Sequence, residues 1–114
     1  MSPLPTVPGY IWEADHEMVQ NLRDLASDFW VLLRGVDPSS ERTLVVVKHF
    51  IKKHPPRVPV VDVCIKTPEE AGVNKVAILP QMRVYHRGFE VFRHSGTVNI
   101  DVLNKVFRMT LRFD

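Results

Sequence analysis

Cysteine is nearly absent from the sequence: Cys64 is the only one among 114 residues. A single thiol excludes an intramolecular disulfide, so the fold does not depend on an oxidising compartment. Long apolar runs are absent too, since no stretch approaches the ~20 residues that span a bilayer. Residues 1–8 lack the basic start and apolar core of a secretory signal. We therefore expect an intracellular protein without a membrane partner, cytoplasmic by default, with an organellar location left open.

Neither sign of charge dominates the composition. The 15 Lys and Arg residues face 13 Asp and Glu residues, and the net charge of +2 is too weak and too scattered to indicate nucleic-acid binding by itself. A length of 114 residues with 45% hydrophobic and 25% charged residues is typical of one globular domain. Pro3, Pro5 and Pro8 favour an extended conformation. We predict an extended N-terminal arm at 1–9 and a single domain at 10–114.

Apolar runs, capping residues and turn signals predict nine elements of secondary structure. The run at 29–33 is continuously apolar and too short for a helix, which indicates a central strand covered on both faces. Asp37, Pro38 and Glu41 together are typical of a helix N-terminus. The predicted order is β-α-β-α-β-α-β-β-α, with an edge strand at 9–12, a helix at 15–26, a strand at 29–33, a helix at 38–54, a strand at 58–65, a short helix from the Thr67-Pro68 capping box to about Gly72, a hairpin at 82–92 that turns at Arg87 and Gly88, and a helix capped by Asn99.

Leu79-Pro80 opens the predicted hairpin, and Gly96 follows it. Together with the element order, these residues make the chain resemble the thioredoxin family over nearly its whole length. In that family a cis proline opens the corresponding strand beside the active site. The resemblance implies a thioredoxin-like three-layer α/β/α fold, in which a central mixed sheet of four to five strands has helices on both faces. It also implies a cis Leu79-Pro80 peptide bond.

The resemblance places the family's redox motif at Val36-Asp37-Pro38-Ser39, at the start of the second predicted helix. Val36 takes the position of the nucleophilic cysteine, and Ser39 takes that of the resolving cysteine. Valine cannot become a nucleophilic anion, and serine needs an adjacent base that the sequence does not supply there. We therefore expect a degenerate motif without disulfide oxidoreductase activity of the CxxC type.

Two further parts of the family's redox machinery differ in the same match. Trp30 stands where thioredoxins have a buried acid, and an indole cannot accept a proton. Gly35 stands where they have a tryptophan before the first cysteine. These departures occur together with the loss of both cysteines. A single chance substitution therefore does not explain the missing redox residues.

The part of the family's active site that remains is the substrate groove. A cis Leu79-Pro80 bond brings the backbone of Leu79 within reach of an extended peptide, as in strand addition. We expect a redox-inactive thioredoxin-like domain, without catalytic residues or cofactor, that binds a protein segment or acts as a subunit of a larger assembly. The predicted partner-binding residues are Gly35, Val36, Ile78, Leu79, Pro80 and Gly96.

An enzyme of the same superfamily is the alternative function. It would depend on a thiol and use either Cys64 or, with a glutathione-like cofactor, a hydroxyl at Ser39 or Ser40. The competing interpretations are that Cys64 is an inert, buried core residue and that the serines cap the helix.

Metal and RNA binding are weaker alternatives. His86 and His94 share the hairpin, but they lie too far apart along it to hold one ion, so we predict no metal site. Basic residues with Tyr85 and Phe92 as stacking aromatics could contact RNA within a larger particle, although solvated surfaces explain the same residues. These basic residues are Lys48, Lys52, Lys53, His54 and Arg57 in one group and Arg83, Arg87, Arg93, Arg108 and Arg112 in another.

Overall fold

The computed structural model describes residues 10–113 and contains nine elements in the predicted order. The extended arm predicted at 1–9 lies outside the described residues. The elements are β1 (Ile11–Ala14), α1 (His16–Asp24), β2 (Phe29–Arg34), α2 (Pro38–Lys53), β3 (Val60–Cys64), α3 (Pro68–Val73), β4 (Gln81–His86), β5 (Phe89–Ser95) and α4 (Ile100–Leu111). The predicted edge strand starts two residues later than expected, and the helices differ from their predicted ends by one or two residues.

The five strands form one mixed sheet in the order β1-β3-β2-β4-β5. Strands β1, β3 and β2 run parallel, whereas β4 is antiparallel to β2 and pairs with β5 as a hairpin. Phe29 to Leu33 of β2 are at most 1% exposed, as expected of a central strand covered on both faces. The carboxyl ends of the three parallel strands and the start of β4 therefore meet at one end of the sheet.

Alternate residues of β2 separate two hydrophobic cores. Trp30 and Leu32 belong to the core that contains buried residues of α2 and α4. Phe29, Val31 and Leu33 belong to the core on the opposite face, where α1 packs. Strand β5 is the edge on the hairpin side and is mostly exposed.

Each helix begins with a side-chain cap on a backbone amide. Asp15 accepts from Met18, Asp37 from Ser40, Thr67 from Glu70 and Asn99 from Val102, so the four caps predicted from sequence are confirmed. No helix among residues 10–113 is long and apolar enough to cross a bilayer.

The β4-β5 turn lies at the end of the sheet opposite Pro80, where contacts with neighbouring segments fix its position. Arg87 and Gly88 both have positive φ, 53° and 82°, which is typical of a tight hairpin turn. A Cβ atom at Gly88 would lie 2.4 Å from the carbonyl oxygen of Arg23, so the turn requires glycine there. Asp28 accepts a hydrogen bond from the Arg87 amide at 2.7 Å.

Candidate functional site

The start of α2 carries the four positions of the degenerate motif. Val36 is 66% exposed and directly precedes the Asp37 cap. The Ser40 hydroxyl is fully buried, accepts from the Gly35 amide at 2.9 Å and donates to the Asp37 carboxylate at 2.7 Å. This hydrogen bond from Ser40, with help from backbone amides, lowers the pKa of Asp37. The Ser40 hydroxyl is therefore buried and engaged at the start of α2, where it supports the Asp37 cap.

Trp30 fills the position that the family resemblance assigns to a buried acid. It is 0% exposed, and its indole Nε1 donates to the Thr110 hydroxyl at 2.9 Å. That hydroxyl in turn donates to the Val106 carbonyl oxygen at 2.8 Å. The indole is therefore buried in the core, and its only polar atom is hydrogen-bonded. No carboxylate lies at this position near the start of α2.

The segment that joins α3 to β4 brings several of the predicted partner-binding residues together. The Leu79-Pro80 peptide bond is cis. A Cβ atom on Gly35 would lie 3.4 Å from the Leu79 side chain, and the Gly96 amide donates to the Pro80 carbonyl oxygen at 2.8 Å. Gly35, Leu79, Pro80 and Gly96 thus form one continuous region, which is bordered in sequence by exposed Val36 and Ile78.

The backbone of residues 77–79 has unused hydrogen-bonding capacity. Among residues 10–113, no partner is found for the N–H or C=O groups of Ala77, Ile78 and Leu79. Ile78 is also 59% exposed. Exposed backbone groups of this kind can pair with an added extended segment.

A buried ion pair lies next to the start of α2. The Arg34 Nε donates to both oxygens of Asp62, at 2.8 and 3.0 Å, and its Nη1 donates to Glu41 at 3.1 Å. Burial raises the pKa of Asp62, although Arg34 opposes the rise. Desolvation acts to lower the pKa of Arg34, but the hydrogen bond and charge of Asp62 outweigh it and the pKa is raised. The sequence analysis identified neither residue. The aspartate inside the otherwise apolar run 58–65 could have indicated a buried ion pair.

Cys64 ends β3 beside this pair. It is half-buried, so it is more exposed than the buried core residue considered from sequence. It lines an open pocket of about 470 Å³ together with Arg34, Val36 and Asp62. Cys64 is partly exposed because it is the last residue of β3, where the neighbouring strands no longer cover the chain.

The aromatic and basic residues considered for RNA are not all available. Tyr85 is 3% exposed and stacks on Phe29 with ring centroids 4.6 Å apart. Arg83 is only 7% exposed. The interpretation of Tyr85 as a base-stacking platform was therefore wrong.

Among residues 10–113, no group of three or more histidine, cysteine or acidic side chains is arranged to hold a metal ion.

No protein-family model matches the sequence, and no curated protein matches it either. Solved structures do match. A mutant thioredoxin from Halobacterium salinarum NRC-1 is 11% identical with a TM-score of 0.76, over 96% of this chain and 97% of that one. Thioredoxin f2, in a complex with ferredoxin:thioredoxin reductase, is 12% identical with a TM-score of 0.76, over 91% of this chain and 98% of that one. Thioredoxin O1 from Arabidopsis thaliana is 13% identical with a TM-score of 0.69, over 88% and 96%.

The architecture and these similarities define a thioredoxin-like α/β fold with a five-stranded mixed sheet and four helices. The chain has one cysteine and therefore contains no CxxC pair. The predicted fold class is confirmed.

Proposed function

We propose that the protein is a redox-inactive thioredoxin-like binding module, which docks an extended segment of a protein partner or of a larger assembly. The docking surface, called here the Pro80 face, consists of exposed Val36 and Ile78 and partly exposed Leu79 and Gly96, with buried Gly35 and Pro80 beneath them. The observation that carries the proposal is the backbone of residues 77–79 beside this surface, which forms no hydrogen bond with the part of the chain that the structure describes.

The proposed lack of CxxC-type redox chemistry rests on the groups at the start of α2. A thiol–disulfide exchange cycle within one chain needs an attacking thiolate and a second thiol to resolve the mixed disulfide. Val36 and Ser39 supply neither, and Trp30 supplies no proton acceptor. The helix N-terminus remains, but in this chain it holds only the Asp37 cap.

Docking at the Pro80 face would combine two kinds of contact. Backbone groups of Ile78 and Leu79 can pair with the backbone of an extended partner, which gives affinity with little dependence on sequence. The exposed side chains of Val36 and Ile78 can then bury apolar surface against the partner. A protein partner also agrees with the description of one structural neighbour, thioredoxin f2, in complex with a reductase.

Ile78→Asp is expected to reduce recovery of the partner at least about tenfold, because a charge would have to be buried where an apolar side chain docks. The measurement is quantitative mass spectrometry of proteins that co-purify with the tagged chain from its native cell. Leu25→Asp is the matched control, since Leu25 is 63% exposed and lies at the end of α1, near the hairpin turn.

The two variants should have melting temperatures close to that of the wild type, since both side chains are exposed. Partners lost with Ile78→Asp and retained with Leu25→Asp would support the proposal. Equal recovery with both variants would remove Ile78 from the docking surface.

A thiol-dependent enzyme is the second candidate, and one observation favours it. Cys64 is half-buried in a pocket that also contains the Arg34 guanidinium, so a reagent could reach the thiol near a cation. Against this candidate, the Arg34 guanidinium is already paired with Asp62 and Glu41.

A further inference from the structure

Strands β4 and β5 carry a row of polar side chains where a buried face would be expected. Gln81 and Arg83 alternate with buried apolar residues of β4, and Arg83 pairs in register with Arg93 of β5. Tyr85, two residues further along, belongs to the same core as the buried residues of α1. The row therefore lies on the α1 side of the sheet.

A pocket of about 460 Å³ lies over Arg83 and Arg93 of this row, between α1, the end of α3 and the hairpin. Its walls include four side chains that carry a permanent positive charge and a single carboxylate, Glu90. The four cations are Arg23, Lys75, Arg83 and Arg93.

Arg83 is held rigidly at the base of this pocket by neutral acceptors. Its Nε donates to the Gln81 side chain at 2.6 Å, and its Nη2 donates to the Lys75 carbonyl oxygen at 2.9 Å. Gln81 is itself fixed, because its amide nitrogen donates to the Ser95 hydroxyl at 2.8 Å. A buried guanidinium in a network of this kind keeps one orientation.

Among the described residues that line the pocket, Glu90 is the only one with a carboxylate, and it lies near two guanidinium groups. The Glu90 Oε1 lies 2.7 Å from Arg93 Nη2 but 3.7 Å from Arg83 Nε. Arg23 and Lys75 form no ion pair with any of residues 10–113; Arg23 donates to the Gly88 carbonyl oxygen and lies over the Tyr85 ring. The pocket thus has excess positive charge, part of it buried on Arg83, and burial of a charge without its own counter-ion is unfavourable.

We propose that this pocket binds a small phosphate-bearing molecule with at least two negative charges. Guanidinium donors match phosphate oxygens in geometry, and Lys75 adds a mobile charge at the rim. The volume lies within the range of small-ligand pockets. Val19, Leu33 and the Tyr85 ring offer apolar contacts for an organic part of the ligand. A concave pocket suits a small molecule better than a nucleic-acid backbone, which needs an extended stripe of charge. The inference does not rest on the proposed docking function.

Calorimetric titration with inorganic pyrophosphate and with adenosine triphosphate tests the proposal. We expect saturable binding of at least one probe to the wild type. The double variant Lys75→Gln/Arg93→Gln should weaken that binding at least about tenfold, because it removes two charged donors to the phosphate oxygens. The matched control Lys48→Gln/Lys52→Gln removes the same charge from α2 and should leave the affinity unchanged. Tighter binding of adenosine triphosphate would indicate that the organic part is recognised, whereas equal affinities would indicate recognition of the phosphates alone.

The double variant at the rim should fold, since it leaves Arg83 in place and frees Glu90 to pair with it; circular dichroism checks this. Failure of both probes to bind the wild type at millimolar concentration would overturn the proposal. Equal weakening in the two double variants would also overturn it, because the binding would then be non-specific charge attraction. Tighter binding of a single-stranded RNA that depends on Lys48 and Lys52 would overturn it in favour of a nucleic-acid surface.

Discussion

Trp30→Ala is expected to lower the free energy of unfolding by about 3–5 kcal/mol, as for other large-to-small changes of buried aromatic residues. Trp30 is 0% exposed and lies in the core between the sheet and the helices α2 and α4. Its removal leaves a cavity and also leaves the Thr110 hydroxyl without its indole donor. A loss of this size is a large fraction of the stability of a small domain.

Urea unfolding followed by circular dichroism measures the effect. Thr110→Val is the control, because it keeps the indole in place and removes only its acceptor; we expect it to cost about 1–3 kcal/mol. A loss below about 1 kcal/mol for Trp30→Ala would contradict the assignment of this residue to the core. It would reopen the question of what the position does, since the family resemblance places an acid there.

Val36→Cys, in a Cys64→Ala background, is expected to create a thiol with a pKa about one unit or more below the ordinary value of 8.5. The reason is the position at the α2 N-terminus, whose partial positive charge stabilises a thiolate. The background also carries Asp37→Asn, because the ionised Asp37 carboxylate would repel the thiolate whereas an asparagine still caps the helix. The pH dependence of alkylation under native conditions gives this pKa. At pH 7 the shift corresponds to roughly tenfold more thiolate.

Val45→Cys in the same background is the matched control, because Val45 is 57% exposed and lies in the middle of α2. Its thiol should titrate near the ordinary value. The same pKa for both variants would contradict the assignment of Val36 to the family's nucleophile position. Wild-type Cys64, measured in parallel, should react more slowly than either introduced thiol; faster reaction would favour the thiol-dependent enzyme over the binding module.

Local signals in the sequence predicted most of the fold. The caps at Asp15, Asp37, Thr67 and Asn99 each need only a polar side chain three residues before the amide that it binds, so short-range chemistry suffices. The central strand was recognisable because both of its faces are covered, which removes polar residues from the run 29–33.

The parts that sequence reasoning missed depend on strand register and on helix coverage. Tyr85 is buried because β2 and β4 pair Phe29 with Tyr85, and no local pattern sets that register. Arg34 and Asp62 meet because the adjacent parallel strands β2 and β3 pair Leu32 with Asp62. Burial of Arg83 likewise depends on how the helices lie over the hairpin.

The most direct test of the binding module is site-specific photo-crosslinking in the native cell. A photoreactive amino acid at position 78 should form a defined adduct with one protein, whereas the same amino acid at position 25, near the opposite end of the sheet, should not. The adduct should disappear when Val36→Asp is introduced into the same chain. Adducts of equal yield and identity from positions 78 and 25, or an adduct at 78 that Val36→Asp leaves unchanged, would contradict docking at the Pro80 face.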